Sequence, residues 1–227
     1  MRVPLTKYGW PQVVIFPAVV VMIMLLGLVY LAGRAVIAAE LMLAVILIWV
    51  LSFFRDPYRA VPPDKDILLA PADGTITDIE TVEESDFING AALRIGIFLS
   101  IFDAHINRAP CNARIEKITY KKGRYKNAAN PLSGRVNEAN NLYMTRTDNS
   151  ADKLIVRQIS GAIARRIVCG AREGQTLAGG EKFGMIKFGS RTELYTPARE
   201  NVKSLIKTGD KVKAGLTPLI RYEQCPD

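Results

Sequence analysis

The sequence predicts a mainly β fold, a barrel-sandwich-like domain preceded by an N-terminal hydrophobic helical hairpin, and three observations carry that prediction. Two long apolar runs fill most of the first 54 residues. Beyond Pro62, short runs of alternating or continuous β-branched residues recur between Gly, Asn, Asp and Pro, and two glycine-bounded segments repeat one another.

The hairpin comes first. Val13 to Ala32 carries no charge and is about as long as a helix must be to cross a bilayer. Ala35 to Phe54 is a second such run, interrupted only by Glu40, and Gly33-Arg34 leaves room only for a tight helical turn between them. A cleaved signal peptide fits poorly, because the first apolar core exceeds the usual h-region of about 7–15 residues and the second run follows at once. Arg2 and Lys7 flank one end of the hairpin and Arg55 and Arg59 the other, while Arg34 stands alone at the turn. The positive-inside rule therefore puts both ends in the cytoplasm, anchoring the chain to the inner cell membrane with its second domain on the cytoplasmic side. Pro17 and the short turn also admit a hairpin that dips into one leaflet. Glu40 is costly in lipid and is expected near the interface of the turn or paired with Arg34. Residues 1–60 are thus read as a membrane anchor and 61–227 as one domain, large enough for its own core.

Net charge is +8. The first 60 residues hold five basic and two acidic groups, or +3, leaving 25 minus 20, or +5, for the rest. A basic domain beside a membrane is drawn to anionic lipid. The charges are dispersed and no nucleic-acid motif accompanies them, so no nucleic-acid partner is expected. The densest cluster, Lys121-Lys-Gly-Arg-Tyr-Lys126, fits either a lipid-headgroup patch or a solvated hairpin tip. Cys111, Cys169 and Cys225 are odd in number and scattered, which predicts free thiols; with one histidine they make no metal-binding set.

Strands are expected at Thr75 to Val82, Ala91 to Leu99, Ala113 to Tyr120, Asn141 to Arg146, Lys153 to Ile159 and Ile163 to Cys169. No long amphipathic helix follows Phe54. Asn127 to Asn141, with Pro131 and Gly134, reads as a mobile loop. The repeated segments are Gly174-Gln-Thr-Leu-Ala-Gly179 and Gly209-Asp-Lys-Val-Lys-Ala-Gly215. They resemble turns of biotinyl- and lipoyl-type barrels, which is the source of the barrel-sandwich expectation.

The chemistry centres on Gly189-Ser190, within Phe183-Gly-Met-Ile-Lys-Phe-Gly-Ser-Arg191. Ser190 Oγ is close enough to its own peptide bond to attack the Gly189 carbonyl and turn the amide into an ester. β-Elimination and hydrolysis then leave a pyruvoyl group at residue 190. Glycine suits the preceding position because it tolerates strained dihedrals and leaves its carbonyl open. A hydroxyl needs a base to take its proton, and the chain has one histidine, His105, in Phe102-Asp-Ala-His-Ile-Asn-Arg-Ala-Pro110. Asp103 stands two residues before it. Asp73, in Leu69-Ala-Pro-Ala-Asp-Gly-Thr-Ile76, lies at a turn entering a strand.

In order and spacing these three segments resemble the phosphatidylserine decarboxylase proenzymes, most closely their short bacterial and archaeal branch, from about Arg55 to the C-terminus. The resemblance implies self-cleavage into a β chain (residues 1–189) and an α chain (190–227) whose first residue, Ser190, becomes the pyruvoyl cofactor. It also implies Asp73 as the family aspartate, His105 as the loop histidine, and a phospholipid substrate at a membrane. Phosphatidylserine would become phosphatidylethanolamine and CO2 through a Schiff base with the headgroup amine. His105, held by Asp73 or Asp103, would return the proton. Longer members carry a second histidine three residues on, where this chain has Arg108. Family members often associate, so a homo-oligomer is implied by the resemblance alone. Two rival readings remain at this point: a biotinyl- or lipoyl-like carrier modified on Lys187, and a membrane-anchored serine hydrolase using Ser190, although the latter lacks a Gly-x-Ser-x-Gly elbow.

Overall fold

A computed structural model of the 227-residue chain describes residues 5–30, 33–130, 132–148, 152–162, 166–187 and 189–223. Arg2, Pro131, Phe188, Cys225 and the first residues of the strand expected from Ile163 lie outside the described residues. The chain divides into two compact units, Met1–Tyr58 and Arg59–Asp227.

In the first unit a 3-10 turn, Lys7–Gly9, leads into α1 (Gln12–Tyr30), and α2 (Arg34–Phe53) packs back against it. Both helices are long and apolar enough to cross a membrane, as expected of the hairpin. Pro17 lies within α1, and the Glu40 side chain of α2 faces α1 at Gly27, where an added Cβ would stand 2.7 Å from Oε1. Glu40 is thereby turned toward the helix partner. The chain ends of the hairpin meet through a Leu5–Arg55 bridge and a Thr6 N–H bond to Phe54 O at 3.0 Å.

The second unit is mainly β. Its strands are β1 (Ile67–Leu69), β2 (Gly74–Glu84), β3 (Gly90–Leu99), β4 (Ile106–Arg108), β5 (Ala113–Lys121), β6 (Ala139–Arg146), β7 (Lys153–Ile159) and β8 (Arg166–Cys169). β9 (Thr176–Leu177), β10 (Lys182–Lys187), β11 (Ser190–Pro197), β12 (Val202–Ser204), β13 (Lys211–Val212) and β14 (Pro218–Tyr222) follow. An eight-stranded sheet in the order β13-β2-β3-β11-β7-β6-β5-β9 curls round a core of Ile76, Ile95, Ile97, Leu99, Ile115, Leu142, Val156 and Leu194. Two three-stranded sheets, β4-β10-β8 and β1-β14-β12, complete it. Every strand pairing is antiparallel. The only helix among the described residues of this unit is the single turn α3 (Ser133–Val136), which interrupts the stretch read as a loop; the loop's last residues begin β6.

The large sheet falls into two matching halves, β13-β2-β3-β11 and β9-β5-β6-β7, with a glycine repeat at the corresponding place in each. β13 and β9 are those repeats, one on each edge of the large sheet. Ile76 N–H bonds Asp210 O at 2.9 Å and Gly209 N–H bonds Ile76 O at 2.8 Å; Ile115 N–H bonds Gln175 O at 2.8 Å and Gly174 N–H bonds Ile115 O at 2.7 Å. Gly215 N–H meets Ala70 O as Gly180 N–H meets Ala109 O. Leu69 N–H reaches Pro110 O at 2.8 Å, and Arg108 N–H reaches Pro71 O at 3.0 Å in return. The segments Ala70-Pro-Ala-Asp-Gly-Thr-Ile76 and Ala109-Pro-Cys-Asn-Ala-Arg-Ile115 are thus structural counterparts in an internal two-fold arrangement. Gly174, Gly180, Gly209 and Gly215 all have positive φ, which is what fixes glycine in both copies.

Cys111 sits in the core and burial pushes its thiol up to about 12. We expect iodoacetamide at about pH 8 to leave Cys111 unmodified in the folded chain and to alkylate it after denaturation, read by peptide mass spectrometry. Because the folded value is raised, the stability gained from the neutral thiol is complete below its ordinary value of 9.0 and falls as pH rises toward 12.

Candidate functional site

The lone histidine enters the fold through a capped turn. Asp103 accepts from Ser100 N–H through its carboxylate at 2.8 Å, and its own N–H bonds Ser100 O at 3.0 Å, closing the turn ahead of β4. His105 is fully buried beside β10, whose Ile186 N–H bonds His105 O at 3.3 Å. Its Nδ1 lies 2.9 Å from Asp103 O. A carbonyl can only accept, so Nδ1 carries the proton and Nε2 keeps its lone pair. That lone pair faces Gly189 N–H at 3.4 Å.

Gly189 stands between β10 and β11 at φ +66°, in the left-handed region where a Cβ is strained. A Cβ on Gly161 would collide with Gly189 O, so a second glycine makes room for the carbonyl that precedes Ser190. Ser190 is fully buried, and its Oγ has no hydrogen-bond partner among the described residues. An orphaned buried hydroxyl costs about 1–3 kcal/mol, so nothing structural recommends serine here.

Two buried networks hold the strand that Ser190 begins. On the core face Asn107 Nδ2 donates to Thr192 Oγ1 at 3.0 Å, Gln158 Nε2 donates to Asn107 Oδ1 at 2.9 Å, and Asn140 Nδ2 donates to Gln158 Oε1 at 3.0 Å. Asn107 is two residues past His105 and Thr192 two past Ser190, so one hydrogen bond ties the two strands together. On the other face Arg191, fully buried, donates to both Asp78 carboxylate oxygens at 2.6 and 2.8 Å, to Glu193 Oε1 at 2.8 Å and to Thr77 Oγ1 at 2.6 Å. Gly96 of β3 lies under the guanidinium, where a Cβ would overlap it.

Asp73 lies at the same end of the large sheet. Thr75 pairs with Phe98 and Ser190 with Leu99, so Asp73 and the Gly189-Ser190 junction flank the end of β3, about two strand spacings or ~10 Å apart. Asp73 Oδ1 accepts from Ala214 N–H at 2.7 Å, and Oδ2 pairs with Arg59 at 2.7 Å. Its counterpart Asn112 accepts from Gly179 N–H at 2.8 Å in the same way. The turn bond is therefore common to both halves of the domain, and only the charge is peculiar to Asp73. Arg108 is buried, with Nη1 donating to Gly180 O at 3.0 Å.

An apolar cavity of about 260 Å³ opens at the junction, lined by Gly189, Phe98, Phe102, Asn127, Ala128 and Ala162 among others. It offers a reactant direct access to residue 189. Lys187 is only 4 % exposed in β10, and desolvation, then the nearby Arg166, lower its pKa. The carrier reading is corrected on this point, since a lysine bearing a swinging prosthetic group must project into solvent.

Sequence reading missed Arg191, Asp78, Glu193, Asn107, Gln158, Thr192 and Gly161. A short signal was available for Asn107, which lies within the histidine segment, and for Arg191, which closes the Gly-Ser segment with Thr192 and Glu193 directly after it; Asp78, Gln158 and Gly161 are distant in sequence and join them only in the folded sheet.

The chain has relatives among known proteins. A family profile described as phosphatidylserine decarboxylase matches residues 46–219. Proteins named phosphatidylserine decarboxylase proenzyme are 43% identical over 169 residues in Desulfotalea psychrophila, covering 74% of this chain and 77% of that one. The relative from Symbiobacterium thermophilum is 38% identical over 225 residues, covering 99% of both chains. That from Azorhizobium caulinodans is 40% identical over 228 residues, covering 99% of this chain and 91% of the other.

Replacing Arg191 by Met leaves Asp78 and Glu193 buried without their main counter-charge. We expect about 3–5 kcal/mol of destabilisation, read from guanidinium midpoints of the detergent-solubilised chain.

Proposed function

The chain belongs to the phosphatidylserine decarboxylase family and is a carboxy-lyase, and from the junction geometry we propose that it makes its own pyruvoyl group at Ser190 and acts there on the phosphatidylserine headgroup. One observation carries the proposal: a buried serine hydroxyl with no hydrogen-bond partner among the described residues directly follows a left-handed glycine whose N–H faces the lone pair of the chain's one histidine.

The order of events follows from those positions. Ser190 Oγ forms a bond to the Gly189 carbonyl carbon while the Gly189–Ser190 C–N bond breaks, and His105 Nε2 passes the hydroxyl proton to the freed amine. Loss of the Ser190 α-proton expels Gly189 as a carboxylate, and water releases ammonia from the remaining enamine. A pyruvoyl group at residue 190 would supply an electrophilic ketone for the headgroup amine and an electron sink for the loss of CO2. His105 then stands beside the same residue with its ring oriented by Asp103 O: Nε2 takes a proton from the headgroup ammonium as that group becomes the attacking amine, and the imidazolium returns it to the headgroup Cα once CO2 has left. The orienting group is the backbone carbonyl of Asp103, while the Asp103 carboxylate caps the turn. Asp73 adds a negative charge at this end of the sheet. With Arg108 in place of a second histidine, His105 serves both the cleavage and the proton return.

Cutting the chain ahead of Ser190 does not release residues 190–227. β11 pairs with β3 along its whole length and with β7 from Arg191 to Tyr195, and Arg191 is clamped by Asp78 and Glu193. The new terminus therefore stays at the cavity. At the membrane, Lys7, Arg55 and Arg59 near the hairpin ends favour an anchor whose ends, and with them the second unit, face the cytoplasm of the cell.

Ser190→Ala is expected to yield one uncut chain with no CO2 release; mass spectrometry of wild type should show two fragments, the smaller blocked to Edman degradation. Normal cutting of the alanine variant would move the site elsewhere. In His105→Ala, any processed fraction should lose about 10²–10⁴-fold in decarboxylation, and unchanged turnover would remove the proton-return role. Asp73→Asn keeps the turn bond that Asn112 makes in the other half and deletes only the charge. We expect it to fold like wild type and to process or turn over about a hundredfold more slowly, and a wild-type rate of both steps would confine Asp73 to the turn.

A further inference from the structure

We propose that the surface from Tyr120 to Val136 is a docking face for an anionic phospholipid bilayer, placed beside the cavity at Gly189; this rests on the lipid substrate proposed above. Between residues 120 and 136 the chain has Lys121, Lys122, Arg124, Lys126 and Arg135 and no acidic residue. All five are exposed. A solvated loop of this composition gains nothing from segregating charge, whereas a one-sign cluster matches a negative lipid surface.

The fold gathers these residues. Arg124 N–H bonds Val136 O at 2.7 Å and Glu138 N–H bonds Arg124 O at 3.0 Å, joining the two arms of the segment. Lys121 Nζ bonds Arg135 O at 3.3 Å. Glu138, the nearest carboxylate in sequence, is buried and accepts from Tyr125 O–H at 2.5 Å, so it points away from solvent. Among the cations stand Leu132, 61 % exposed, and Val136, 39 % exposed, with Phe102 at 70 % on the neighbouring turn. Aliphatic side chains interleaved with lysine and arginine suit the boundary between headgroups and acyl chains. Nucleic acid would make no use of Leu132 and Val136.

A cavity of about 530 Å³ lies in this surface between Lys126, Arg135, Leu132 and Val136. Asn127 lines both it and the apolar cavity that ends at Gly189. A headgroup held at the cationic rim is thus adjacent to the route toward residue 189, while its acyl chains remain with the bilayer.

The test uses the full chain in vesicles. A Leu132→Cys variant, with Cys169 and Cys225 changed to Ser, carries an environment-sensitive bimane label. In phosphatidylcholine vesicles holding about 30 mol% phosphatidylglycerol, its emission should shift to the blue relative to pure phosphatidylcholine, and about 0.5 M NaCl should reverse the shift, because salt screens surface charge. Changing all five basic residues to Gln should abolish the shift while self-cleavage proceeds as in wild type. Equal emission in both vesicle types, or a shift that survives the five substitutions, overturns the docking face. An uncut wild-type chain in the same preparation would instead sink the pyruvoyl proposal and leave the emission result standing.

Discussion

The arrangement depends on a guanidinium buried next to the Gly189–Ser190 junction. Arg191 follows Ser190 in β11, the strand between the two halves of the large sheet, and its charge is met by Asp78, Glu193 and Thr77 from two directions. A lone buried charge costs several kcal/mol, so these partners are obligatory, and Gly96 is required because any side chain there would occupy the same volume. The result is a strand start that cannot fray. A free end at residue 190 would otherwise be the natural place for the chain to lose order.

The internal two-fold arrangement supplies the rest of the setting. Two Ala-Pro turns, two glycine-bounded edge strands and two reciprocal backbone bonds give each half the same frame. The candidate site lies where the two halves depart from symmetry. Asp73 replaces the neutral Asn112 and acquires Arg59 as a counter-ion, while the strand β4, just before the second Ala-Pro turn, brings His105 to the Gly189-Ser190 junction. Short strands such as β4 do the positioning with few residues. The Asn107 to Thr192 hydrogen bond shows the economy of it, because one buried amide fixes the separation of the histidine strand and the serine strand.

Alternation of apolar residues made six strands legible from β2 to β8, and Lys153 to Ile159 was read with the bounds it has in the fold. β11 was not read at all. Its residues Arg191, Glu193 and Thr192 look solvent-facing in sequence, yet all are fully buried, since their partners come from β2, β4 and β11 itself. β1, β4, β9, β12 and β13 are two or three residues long and carry no periodicity to detect. Gly161 is equally silent in sequence, because its need for glycine arises only from the nearby carbonyl of Gly189.

The sequence by itself determined the candidate elements: one Gly-Ser pair of the right family pattern, one histidine, a charged turn at Asp73, and an apolar hairpin whose helices are long enough to cross a membrane. These are legible because reactivity resides in residue type and in immediate neighbours along the chain. Only the tertiary structure decided which nitrogen of His105 faces the junction, which atom of Asp103 holds it, and what anchors residue 190 on each side. Apart from the two-residue span between Asp103 and His105, those are relations between atoms far apart in sequence, and they come into existence when burial drives most charges and amides to find a partner.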